Sequence, residues 1–149
     1  MEISIKKLKN GFELPVLGLG TWKMGGEREI DTTNDQKEIQ AIKDAIKLGI
    51  THIDTAEMYG KGHSEELLGL AIQDINRTKI FITTKVYPTH LAYNDLISSA
   101  KNSLKRLKTS PDKKVAIGLM AYNHLTGGIK KVINSPQMKT HLEFLKSIS

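Results

Sequence analysis

Short apolar runs alternate with segments of helical periodicity, and this alternation limits the possible folds more than any other feature of the sequence. The runs are 15–22 (PVLGLGTW), 51–56 (THIDTA), 79–86 (KIFITTKV) and 115–122 (VAIGLMAY). THIDTA is too short and too β-branched for a helix and reads as a buried strand; the other three read the same way. The all-apolar start of KIFITTKV predicts burial on both faces. Between the runs, 36–48 (QKEIQAIKDAIKL) sets Ile39, Ile42 and Ile46 on one helical face, and Gly49 supplies the stop. Ser64 is placed to cap a second helix, with Glu65 and Glu66 in its first turn and Leu68, Ala71, Ile72 and Ile75 as its apolar stripe. Asn94 or Asp95 opens a third helix bearing Ile97, Ala100, Leu104 and Leu107. Ser135-Pro136 gives cap and first-turn chemistry for a fourth, carrying Met138, Leu142 and Leu145.

Strands that alternate with amphipathic helices form a parallel sheet with helical cover. Upstream of them, Ile3 and Ile5 alternate with Ser4 and Lys6, and Asn10-Gly11 precedes Phe12 and Leu14, which predicts a hairpin. A closed barrel of this kind needs eight strand–helix units and about 200 residues or more. The 149 residues hold about four. The expected architecture is therefore α/β, a partial (β/α)8 TIM-type barrel: an N-terminal hairpin plus about four parallel units, in a single domain over 1–149.

Composition removes several classes of chemistry. With no cysteine there is no disulfide framework, thiolate metal site or catalytic thiol. No apolar run approaches the roughly 20 residues that cross a bilayer. MEISIKKLKNGFELPV lacks the apolar core of a secretory signal, so a cytoplasmic protein with no membrane partner is expected. The histidines at 52, 63, 90, 124 and 141 show no metal-ligand spacing, and His63 and His90 read as solvated loop residues. No serine sits in a nucleophile elbow. Net charge is +6 but uneven: residues 1–75 carry 9 Lys+Arg against 13 Asp+Glu, and residues 76–149 carry 13 against 3. The basic half suits phosphates, nucleic acid or an acidic partner, or is a set of solvated lysines. With 5% aromatics and no nucleic-acid-binding module, no nucleic-acid partner is expected.

Chemistry in parallel α/β folds gathers at the carboxyl ends of the strands. Thr21, Trp22 and Lys23 follow the first run; Asp54 ends the second, with Glu57 and Tyr59 beyond; Lys85 ends the third; Tyr122, Asn123 and His124 end the fourth. Asp54 shares a strand face with His52 by the two-residue period. A buried carboxylate needs a partner, and Lys85 on the neighbouring strand is the obvious cation. Two readings stand. The pair fixes packing only, or it supports Tyr59 as a general acid. A phenol is a poor proton donor at neutral pH, and an adjacent ammonium stabilises the phenolate that proton transfer leaves. Tyr59, Lys85 and Asp54 would then protonate a developing alkoxide, given a hydride donor across the site. GLGTWK (18–23) and GKGHSE (60–65) both miss the last position of the dinucleotide fingerprint. LTGGIKK (125–131) is either a phosphate-binding turn with Lys130 and Lys131 as counter-charges, or an ordinary turn.

GITHIDTAEMYGKGHSEELLG (49–69), preceded by PVLGLGTWKMGG and followed by FITTKVYPTH, closely resembles the first part of the aldo-keto reductases, and the resemblance runs over 1–109. It implies a (β/α)8 barrel floored by an N-terminal hairpin, and reduction of aldehydes or ketones with NADP(H), NAD(H) being the other option. By motif position, Asp54, Tyr59 and Lys85 match three members of the catalytic tetrad. Gly20, Thr21 and Trp22 match the segment lining the nicotinamide and substrate pocket, and Asp54 also faces the cofactor there. The tetrad's histidine, typically in His-Trp-Pro, has no counterpart in PDKKVAIGLMAYNHLTGG (111–128). Instead AYNHL (121–125) is similar to the Ala-Tyr-Ser-Pro-Leu of a much later strand. The resemblance thus gives Tyr122, Asn123 and Leu125 contacts with nicotinamide and pyrophosphate, and makes 110–149 a later strand–helix unit. A barrel that has lost its middle strands and its tail accounts for this. The expected function is NAD(P)H-dependent carbonyl reduction on a small substrate. The alternative is an inactive remnant that at most binds a dinucleotide or a partner chain. Open sheet edges would favour self-association.

Overall fold

The computed structural model describes residues 3–7, 9, 11, 13–90, 92–110 and 115–119. The hairpin forms as expected: β1 (Ile5–Lys7) and β2 (Glu13–Pro15) pair antiparallel, with Ile5 opposite Pro15. The first long apolar run is divided, Pro15 closing the hairpin and Gly18–Gly20 forming β3. β3, β4 (His52–Asp54), β5 (Phe81–Val86) and β6 (Val115–Leu119) lie side by side, all parallel, in sequence order. Helices α1 (Asp35–Lys47), α2 (His63–Ala71) and α3 (Tyr93–Arg106) make the three crossovers. This is an α/β fold of parallel strand–helix units. Among the described residues β3 and β6 are the edge strands.

Strand alternation decides which residues meet the helices. Ile53 and Ile82 point to the helical layer, where they join Ile42 of α1, Leu68, Ala71 and Ile72 around α2, and Leu107 after α3 in the core. Burying each of the isoleucines and leucines among them contributes about 1.5–3 kcal/mol. The two-residue period then sends His52 and Asp54, and Phe81, Thr83 and Lys85, to the opposite, inner face. Burial on both faces of β5 is not what the structure shows. Ile82, Thr84 and Val86 are buried, whereas Phe81, Thr83 and Lys85 are only half-buried. The apolar start of this run reflects its helix-facing side, and the inner face remains open to solvent.

Two helices differ from expectation. Ser64 does not cap α2. The helix starts two residues earlier than that cap requires, at His63, after Gly62 at φ +95°, and has no side-chain cap. A Cβ at Gly62 would lie 2.6 Å from the Arg106 Nε, so both the φ and the close neighbour demand glycine there. α3 begins at Tyr93 rather than at Asn94 or Asp95, and buries Leu96, Ser99, Ala100 and Ser103, with Leu107 just beyond. Ile97 and Leu104 are half-buried at the flanks of that stripe. The stripe is rotated by one residue because two serines occupy it with their hydroxyls engaged: Ser99 with His90 and Ser103 with Arg106. Gly69 lets α2 approach the end of α3, since a Cβ there would stand 2.4 Å from the Arg106 carbonyl. The fourth helix expected after Ser135, and the end of the last strand, lie outside the described residues. No helix among the described residues is long and apolar enough to cross a membrane.

Candidate active site

Lys85 projects from β5 onto the inner face beside β4, whose last residue is Asp54. Its ammonium donates to Asp54 Oδ1 at 2.5 Å, to the Thr55 carbonyl at 2.8 Å and to the Tyr59 hydroxyl oxygen at 3.3 Å. An ammonium has three protons and no acceptor site, so these contacts use all of its donors. Because the Tyr59 oxygen accepts from Lys85, its own O–H is left to point elsewhere. Tyr59 opens a 3-10 turn at Tyr59–Gly62, anchored by its backbone N–H to the Ala56 carbonyl at 3.1 Å. The phenol ring also lies under the ammonium, 5.1 Å from Nζ to centroid.

Trp22, in the turn after β3, packs edge-on against the Tyr59 ring with centroids 4.8 Å apart and planes at 77°. It is 43% exposed, so one side of the indole faces outward. Gly20 sits on the inner face in register with Asp54, with open space where a Cβ would be. Thr21 is different. Its N–H and hydroxyl both donate to the Asp54 carbonyl, at 2.9 and 3.2 Å, its hydroxyl oxygen accepts from Ser64, and its own carbonyl accepts from Met24 N–H. Every polar group of Thr21 is used within the protein. Of the sequence-predicted residues, Asp54, Tyr59, Lys85, Trp22 and Gly20 converge on one inner rim. Thr21 lies behind it. Tyr122, Asn123, His124, Leu125, Lys130 and Lys131 lie outside the described residues.

The aldo/keto reductase family model matches residues 16–130. The chain belongs to the aldo/keto reductase family. It is 37% identical over 109 residues to methylglyoxal reductase YeaE of Escherichia coli K12, an alignment covering 73% of this chain and 37% of that relative. Among solved structures it superposes on the thermostable aldo-keto reductase Tm1743 with a TM-score of 0.80 and 40% identity, over 98% of this chain and 51% of that one. An aldo-keto reductase of Klebsiella pneumoniae in complex with NADPH gives a TM-score of 0.64 and 36% identity, over 74% and 37%. The chain thus spans about a third to a half of the length of these relatives.

Within this family framework, several residues around the rim gave no sequence signal of their role. Glu65 is wholly buried, its carboxylate accepting from Thr84 Oγ1 at 2.5 Å and from Arg106 Nε at 2.7 Å. Glu57 accepts from the Tyr87 N–H at 2.5 Å and lies 3.0 Å from His90 Nδ1. Read locally, Glu65 is an acidic residue of a helix's first turn, while its long-range pairing depends on how α2 and α3 cross. His90 is a half-exposed loop residue, but an engaged one.

His63 corrects the solvated-loop expectation more strongly. It begins α2 and is nearly buried, with Nδ1 2.8 Å from Glu66 and Nε2 3.0 Å from Asp35 at the start of α1. Burial disfavours its imidazolium, but hydrogen bonds to Glu66 and Asp35 more than offset this and hold it above the ordinary histidine value. A neutral ring has one N–H and cannot donate to both carboxylates; the imidazolium can. A raised folded-state pKa stabilises fully below the unfolded value of about 6.5 and stops doing so as pH rises through the folded value. Urea midpoints measured from mildly acidic to alkaline pH should therefore fall for the unmodified chain as His63 deprotonates. His63→Gln should flatten that part of the profile; an unchanged slope would remove His63 as its source.

Proposed function

We propose that this chain carries the proton-donating side of a carbonyl reductase site, reducing a small aldehyde or ketone to an alcohol with NADP(H), NAD(H) being the other option. The observation that carries the reading is the single ammonium of Lys85 joining the Asp54 carboxylate to the Tyr59 hydroxyl on an open inner rim. Tyr59 is the catalytic acid. Its O–H is free to donate to a carbonyl oxygen, and the phenolate it leaves stays beside a positive charge. Asp54 keeps that ammonium in place. A nicotinamide dinucleotide, when bound, supplies the hydride to the carbonyl carbon. Tyr59 delivers the proton to the oxygen, so the product is the alcohol and the phenolate recovers its proton from solvent.

The residues present fit such a cofactor. Gly20 leaves open space beside Asp54, and the exposed side of Trp22 offers an apolar wall. Tyr122, Asn123 and Leu125 are assigned to its nicotinamide and pyrophosphate, with 110–149 acting as a later strand–helix unit of one domain over 1–149. The relative YeaE is named a methylglyoxal reductase, which makes a small oxoaldehyde the first substrate to try. A cytoplasmic setting accords with the cysteine-free composition.

The test is NADPH oxidation with methylglyoxal, read by loss of its absorbance, beside a thermal shift with NADPH alone. Oxidation and a raised melting temperature are expected, because a ligand near 100 times its Kd adds about 2.7 kcal/mol to the folded state. A shift without oxidation reduces the chain to a dinucleotide binder, and the absence of both shift and oxidation removes the proposal.

A further inference from the structure

We infer that Ser64 is a positioning residue for the Trp22 wall of the pocket, a role that rests on the carbonyl reductase reading only for its catalytic consequence. Ser64 lies in the first turn of α2, is completely buried, and does not serve as a helix cap. Its hydroxyl donates to Thr21 Oγ1 at 2.8 Å and lies 3.2 Å from the Thr21 carbonyl. Thr55 Oγ1 stands 3.4 Å from the same oxygen. Each hydroxyl has one proton, and Thr21 spends its own on the Asp54 carbonyl. The proton count then gives one direction: Thr55 to Ser64, Ser64 to Thr21, Thr21 to the carbonyl of Asp54. This chain of hydroxyls begins and ends on adjacent residues of β4's end. On the way it passes through α2 and through the residue next to Trp22.

The consequence is geometric. Asp54 fixes Lys85, and Thr21 fixes the start of the turn that holds Trp22 edge-on to Tyr59. Ser64 is the side chain that ties these two ends to a common helix. All three hydroxyl-bearing residues have zero exposure, so water cannot replace a lost partner without a rearrangement. Removing the Ser64 hydroxyl leaves Thr21 Oγ1 without its donor and lets the Trp22 turn move relative to Tyr59.

Trp22 is the chain's single tryptophan, so its emission reports this turn alone. In Ser64→Ala, the emission should shift to the red and acrylamide should quench it more strongly. Thr21→Val should do the same, and the double variant should add little, since both break one chain of hydroxyls. Ile72→Val, a core truncation at the far end of α2, serves as the comparison for general loosening and should lower the melting temperature without moving Trp22. If the full chain reduces methylglyoxal, Ser64→Ala should raise KM more than it lowers kcat. The expected loss in kcat/KM is on the order of tenfold, short of the roughly hundredfold that a misplacement of about 1 Å costs reacting groups. Unaltered Trp22 emission in Ser64→Ala, or an equal response in Ile72→Val, overturns the inference. The fluorescence arm needs no turnover, so a failed activity assay bears on the carbonyl reductase reading and leaves this one to the emission data.

Discussion

On the proposed carbonyl reductase reading, Tyr59→Phe should lower carbonyl reduction by about 10²–10⁴-fold while leaving the fold and the dinucleotide affinity where they were. The substitution removes one oxygen and little else. The ring that packs edge-on to Trp22 at 4.8 Å remains, as does the aromatic face 5.1 Å from the Lys85 ammonium. Lys85 keeps Asp54 and the Thr55 carbonyl as acceptors and turns its third proton to solvent, which its partial exposure allows. What disappears is the only O–H placed beside that ammonium among the described residues. A positioned general acid contributes about 10²–10⁴-fold to a rate, so kcat for NADPH oxidation with methylglyoxal should fall by that factor. The melting temperature and its shift with NADPH should not change. Lys85→Met should give a loss of the same size, because the phenolate then forms with no positive charge beside it, and the paired Asp54 loses its cation. Retention of more than about a tenth of the rate in Tyr59→Phe would mean that protonation comes from elsewhere, since that residual is far above what loss of a general acid leaves.

The sequence exposes this rim because local rules build it. Asp54 and Lys85 reach one face through the two-residue period of two adjacent parallel strands, and Trp22 reaches it through a turn at a strand's carboxyl end. Each of those facts follows from a few consecutive residues. Tyr59 is also legible, by its place in the 49–69 stretch, although the turn that delivers it depends on left-handed Gly60, Lys61 and Gly62. The buried polar residues behind the rim are not legible in the same way. Ser64, read locally, is a helix cap, and only the approach of the β3 turn to α2 makes it a hydroxyl donor to Thr21. Glu65 and Glu66 look alike in sequence. One is wholly buried against Arg106 and Thr84, while the other reaches His63 from a half-exposed position. Serines at 99 and 103 rotate the stripe of α3 because hydroxyls with partners can be buried, whereas an apolar count gives them no weight. Long-range polar pairing, 41 residues apart for Glu65 and Arg106, has no periodicity to read.

That pair carries the largest stability effect expected in the molecule. Glu65 has no exposed surface, and its two oxygens are divided between Arg106 on α3 and Thr84 on β5. Arg106 is 22% exposed and also lies 3.9 Å from Glu57, so its charge retains some water and a second carboxylate. Glu65 has no comparable recourse. Arg106→Met therefore leaves a fully buried carboxylate with one hydroxyl as its described donor, and should cost about 3–5 kcal/mol, the range for breaking a buried pair from one side. Glu65→Gln should cost less, since its amide oxygen can still accept from Arg106 while its NH2 donates to Thr84 Oγ1, the loss being the counter-charge of Arg106 and the acceptor of the Thr84 proton. By contrast Glu65→Leu combined with Arg106→Met removes both charges and should recover most of the loss, giving a large coupling energy in a double-mutant cycle. Urea midpoints of the unmodified chain, Glu65→Leu, Arg106→Met and the double variant measure this. A single-variant loss below about 1 kcal/mol would place the pair with ordinary surface ion pairs. The location explains why so costly an arrangement is useful. Thr84 precedes Lys85 on β5, and the alternation that turns Lys85 to the rim turns Thr84 to Glu65. Glu65 thus holds the strand from the helical side at the residue next to the cation, and the same helix turn presents Ser64 to the Trp22 loop. Lys85 can keep a fixed distance to Tyr59 on an open inner face because the strand beneath it is tied down from the closed one.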